Sequence, residues 1–148
     1  MSGIVCAVRG GPDSQPTIEK AISFSSETGL QLYFLYVVNL EFLGQASTSR
    51  VSVVSEEMHK MGEFILLTAQ ANAASKGVNA EARIRQGDVE REIAEFCHEI
   101  KADYLVLGRP MKQMEQSIFT SSQLTKFISK VEEETGARVV FPEEESNP

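Results

Sequence analysis

Residues 87–108, GDVEREIAEFCHEIKADYLVLG, read as an amphipathic helix feeding a buried strand that closes on a glycine, which is one αβ unit of a parallel sheet. Val89, Ile93, Phe96, Cys97 and Ile100 fall at a spacing that makes one apolar stripe, and Asp88 stands where it would cap the first turn. The strand, Tyr104-Leu105-Val106-Leu107, is apolar on both faces. A strand buried on both sides needs helices above and below it, and open α/β sheets bind ligands beyond the carboxyl ends of such strands. Gly108 therefore marks where function is expected.

Composition narrows the class of function. With 148 residues and 42% hydrophobic content, the chain is sized for one domain with one substantial core. Its net charge of -7 argues against unassisted binding to nucleic acid or to an anionic membrane, because both need clustered positive charge. The start, Met1 to Val8, reads as a strand rather than a secretory signal, and the apolar run Leu30 to Leu40 is too short to span a bilayer. A cytoplasmic location is the expectation. Cys6 falls in a strand and Cys97 on an apolar helix face, with no CxxC and no Cys/His cluster of metal-ligand spacing, so both read as core residues and no metal is expected.

Five strand-like segments alternate with four helix-like ones, and that alternation sets the fold class as α/β. The first strand is Ile4 to Val8. After the turn Gly10-Gly11-Pro12-Asp13, a helix runs from Ser14 or Pro16 to Thr28 and stops at Gly29. A second strand, Gln31 to Val38, leads to a polar surface loop, Leu40 to Ser52, and then to a helix from Val53 to Ser75 stopped by Gly77. Val78 to Arg85 alternates as a strand at or near a sheet edge. The last unit is a helix from Ser122 to Glu134 and a strand from Ala137 to Phe141. The domain is thus 1–142, and the acidic tail 143–148, EEESNP, reads as disordered.

Over Ile4 to Pro142 the sequence resembles the universal stress protein family. The likeness rests on the opening strand with its Gly-containing turn, on the run GDVEREIAEFCHEIKADYLVLG, and on the closing helix–strand unit ending ARVVFP. It implies a single open, doubly wound parallel sheet of strand order 3-2-1-4-5, adenine nucleotide alpha-hydrolase-like, and a homodimer. In many members it also implies an adenine nucleotide between the ends of strands one and four.

The nucleotide-binding members carry Gly, two residues, Gly, nine residues, then Gly followed by Ser or Thr. That spacing falls here on Gly108, Met111, Ser121 and Ser122, of which only Gly108 and Ser122 agree in type. Glycines in such a loop let backbone N–H groups approach phosphate oxygens, and Met111 closes one of these openings. The family's acidic residue at the end of strand one aligns with Arg9, which exchanges an acceptor for a cation. The chain therefore resembles the branch of the family that does not bind ATP, whose members are dimeric stress-response factors without a known reaction.

The candidate ligand site, vestigial or turned to another ligand, comprises Arg9, Val38, Gly87, Gly108, Arg109, Met111, Ser121 and Ser122. Arg9 and Arg109 would leave the same sheet edge and could hold a phosphate or carboxylate, or pair with Asp13, Asp88 or Glu115. His59 and His98 lack a nucleophile or ligand at a recognisable spacing, and Glu56-Glu57 and Glu132-Glu133-Glu134 read as solvated helix faces. No catalytic residue emerges, and no enzymatic activity is expected. The expected role is a regulatory module without cofactor, free to engage an unknown protein partner; the alternative is an ATP- or AMP-binding switch with weak or no hydrolysis. The homodimer is expected through the edge strand Val139, Val140 and Phe141, with Pro142 ending the pairing.

Overall fold

Short apolar strands alternating with amphipathic helices build one five-stranded parallel sheet in the computed structural model, which describes residues 3–9, 14–40, 48–108 and 121–142. The elements run β1 (Ile4–Ala7), α1 (Gln15–Thr28), β2 (Leu32–Val38), α2 (Thr48–Ser75), β3 (Ala80–Gln86), α3 (Val89–Ile100), β4 (Tyr104–Val106), α4 (Ser121–Thr135) and β5 (Arg138–Val140). The strand order is β3-β2-β1-β4-β5, as the family likeness implies. All four pairings are parallel, with Cys6 level with Phe34 on one side and with Val106 on the other.

Two cores follow from the pleat of the sheet, since alternate side chains of a central strand face opposite helix layers. Ile4 and Cys6 of β1, with Val8 just beyond it, meet Ile18, Ala21 and Ile22 of α1 and Leu66, Ala69 and Ala73 of α2. On the other face Val5, Leu35 and Leu105 meet Ile93, Phe96 and Cys97 of α3 with Phe127 and Val131 of α4. Both cysteines are fully buried free thiols. Burial pushes both thiols up, Cys97 to about 12, so neither is a thiolate at neutral pH.

The α3 helix forms as its sequence requires: Asp88 accepts the Arg91 N–H at 3.0 Å as N-cap, and the stripe from Ile93 to Cys97 is buried. The α2 helix departs from expectation. It begins at Thr48, five residues before the expected Val53, so residues 48–52 of the expected loop are its first turns. Serines and threonines favour helix starts because their side chains can bond early backbone groups, which hides such turns from a reading based on apolar period. The strand β3 lies at one edge and turns the charged Glu81 and Arg83 outward, while β5 forms the other edge. Residues 10–13, 41–47, 109–120 and the tail 143–148 lie outside the described residues.

Candidate functional site

The carboxyl ends of β1 and β4 converge where the sheet reverses its winding, between the crossovers to α1 and to α4. Continuing the β1–β4 register by two residues sets Val8 level with Gly108, and Arg9 stands exposed just beyond. Backbone pairing persists past the strand ends: the Val8 N–H donates to the Leu35 carbonyl at 2.9 Å, and the Leu107 N–H to Val140 at 3.0 Å.

The first turn of α1 closes one side. A Cβ on Gly108 would come within 2.9 Å of the Thr17 Oγ1, so a side chain there would require the Thr17 side chain or its surroundings to shift. Thr17 is only 3% exposed, and its carbonyl accepts the Cys6 thiol at 3.9 Å, which ties this turn to β1. Ser14 occupies the N-cap without a side-chain capping bond, Pro16 follows, and no acidic residue stands in the first turn. The positive end of the helix therefore faces the strand ends without a carboxylate of its own turn to offset it. Thr17 was not singled out by sequence reasoning. The sequence shows only that it falls on the first turn of the helix after strand one; its contact with Gly108 is seen in the structure alone.

The turn after β3 closes the other side. The Gly87 N–H donates to the Val38 carbonyl at 2.9 Å, and Val38 itself is completely buried. Gly87 has φ 149°, and a Cβ there would lie 2.7 Å from Oε2 of Glu92. Glu92 in turn is held by the Arg85 Nε at 2.9 Å, while both terminal nitrogens of Arg85 bond Glu99 at 3.0 and 3.1 Å. The Arg85 guanidinium also lies over Phe96, 5.8 Å from its ring centre. Bonds to Glu99 and then to Glu92 raise the Arg85 pKa further, and the Arg85 bond holds the Glu99 carboxyl below its usual range.

Of the candidate residues, the structure thus joins Val38 to Gly87 and sets Arg9 beside Gly108 on neighbouring strands. Ser121 and Ser122 lie in the first turn of α4. Arg109 and Met111 fall outside the described residues, as do Asp13 and Glu115, so the expected fork of two guanidiniums is not described. Among the described residues no group of three His, Cys, Asp or Glu side chains could hold a metal ion. His59 bonds the Ser55 carbonyl within α2 at 3.0 Å, and His98 is exposed on α3. No helix among the described residues is long and apolar enough to cross a membrane. The site can present an exposed guanidinium and the amide-rich end of α1 to an anion.

A model of the universal stress protein family matches residues 1–132. A universal stress protein of Methanocaldococcus jannaschii is 27% identical over 126 residues, spanning 84% of this chain and 74% of that protein. The UspA structure from Lactobacillus plantarum superposes with a TM-score of 0.75 at 17% identity, covering 95% of this chain and 97% of the other. A universal stress protein family member from Arabidopsis thaliana, solved with AMP bound, superposes with a TM-score of 0.61 at 16% identity over 100% of this chain and 96% of the other. Other similar structures hold cAMP and dAMP.

Proposed function

The chain belongs to the universal stress protein family, and from that premise we propose that it is a cytoplasmic, homodimeric stress-response or regulatory module that does not bind ATP and catalyses no reaction. The observation that carries this reading is the end of β1. Arg9 stands exposed there, where the nucleotide-binding pattern has an acidic residue. Ribose hydroxyls offer donors, and a guanidinium, having donors only, cannot accept them. Met111 in place of a loop glycine works in the same direction. The dimer would form through β5, where Val139 and Val140 are half-buried at an edge and Phe141 follows, also half-buried.

A second reading has its own support. Similar structures hold AMP, cAMP and dAMP, and Gly108 and the first turn of α1 favour an anion. Mass spectrometry of small molecules released from the purified protein separates the two. The proposal expects no adenine nucleotide; AMP or ATP released at close to one per chain would overturn it in favour of a nucleotide-binding switch.

A further inference from the structure

The outer edge of β5 is occupied by side chains of the helix that precedes it. In the parallel pairing of β4 with β5, the Arg138 N–H donates to Asp103 and the Val140 carbonyl accepts from Leu107, so residues 138 and 140 spend their backbone groups on β4. Strand geometry then turns the N–H of residues 137 and 139 outward. Neither is bare: the Ala137 N–H donates to Thr135 Oγ1 at 3.1 Å, and the Val139 N–H to Glu132 Oε2 at 3.2 Å. Glu132 reaches it from the last turns of α4, one turn of helix before Thr135.

We infer that Glu132 competes with a second copy of β5 for this edge and so sets the strength of self-association. The inference rests on the edge-strand dimer proposed above. An antiparallel copy centred on Val139 or Val140 needs the Val139 N–H, and each chain must release its carboxylate before the strands can pair. The two-fold makes the displacement happen twice per dimer. An exposed carboxylate is readily solvated once released, so Glu132 opposes pairing by a graded amount rather than forbidding it. Until displaced, it also covers an apolar strand edge against indiscriminate pairing, since unpaired edge donors template aggregation.

Sedimentation equilibrium of the full chain and its variants tests this. Glu132→Ala should tighten the dimer dissociation constant about tenfold, two lost competitors per dimer acting together. Glu132→Gln, which keeps an acceptor of the same length without the charge, should fall between wild type and Glu132→Ala. Glu133→Ala, which removes an adjacent exposed charge that makes no such bond, should leave the constant unchanged. Equal tightening by all three would assign the effect to charge repulsion and overturn the inference. So would an unchanged constant for Glu132→Ala. Val140→Asp tests the premise separately: it should give monomer. A dimer that survives Val140→Asp removes the edge-strand reading itself, whatever Glu132 does. Melting curves matching wild type confirm that each variant is folded, and Glu132→Gln serves if Glu132→Ala is not.

Discussion

Gly87 concentrates several constraints on one residue. Its φ of 149° is a conformation that side-chain-bearing residues rarely adopt, its N–H bonds Val38, and the space where a Cβ would sit is taken by the Glu92 carboxyl. The Glu92 side chain cannot simply swing away, because Arg85 holds it. Gly87→Ala is therefore expected to destabilise the fold by about 2 kcal/mol, seen as a melting temperature lower by roughly 4–10 °C. An unchanged melting temperature would mean that the turn relaxes freely. Gly108 differs in kind, because there the obstacle is Thr17 rather than the backbone angle. The sequence marks Gly87 and Gly108 as glycines that matter. That Thr17 faces Gly108 is not legible, because the contact joins residues far apart in the chain and no local pattern records it.

Among the elements, α3 and β3 are fastened to each other by Arg85, whose guanidinium is shared among Glu92, Glu99 and, at 3.8 Å, Glu95. Glu99 has its pKa lowered, chiefly by the Arg85 bond, and Glu19 has its own lowered by bonds from Asn72 and Lys76 that tie α1 to α2. A carboxyl with a depressed pKa in the folded state contributes stability above its ordinary value of 4.5 and loses it as pH falls through the depressed value. Glu90 works oppositely, since its burial raises its pKa and acid relieves that penalty. Stability should thus decline as pH drops below the ordinary carboxylate range, and Arg85→Leu should flatten part of that decline. At neutral pH the same substitution should lose about 1 kcal/mol, measured by urea unfolding. An acid limb that is just as steep in the Arg85→Leu variant would contradict the role given to Glu99.

The same elements show how far sequence pattern reaches. The α3–β4 unit is fully legible because a capping Asp, a helical stripe and a doubly apolar strand agree with one another. The first turns of α2 are not, because Thr48 to Ser52 are polar with little apolar period and the helix is held instead by packing further along. Strand order is not in the periodicity at all. Handedness and layering allow several doubly wound orders, and it is the family likeness that singles out β3-β2-β1-β4-β5. The two edges of that sheet are protected differently: β3 by outward charge, β5 by borrowed side-chain acceptors from α4.

For the whole molecule, a net charge of -7 and two cores on a single sheet describe an acidic scaffold whose proposed functional end lies where β1 and β4 finish. The large apolar side chains most exposed among the described residues, Val53, Met61, Phe64 and Leu67, all lie on α2. At that end stands a cation, Arg9, where the family resemblance implies an acid in the nucleotide-binding members. We propose that this exchange, with Met111 in the segment beyond Gly108, abolishes ATP binding. Thermal unfolding with and without saturating Mg-ATP tests it most directly, because a ligand at a hundredfold over its dissociation constant stabilises a protein by about 2.7 kcal/mol. The expected result is a melting temperature unchanged by millimolar Mg-ATP; a rise of several degrees would contradict it.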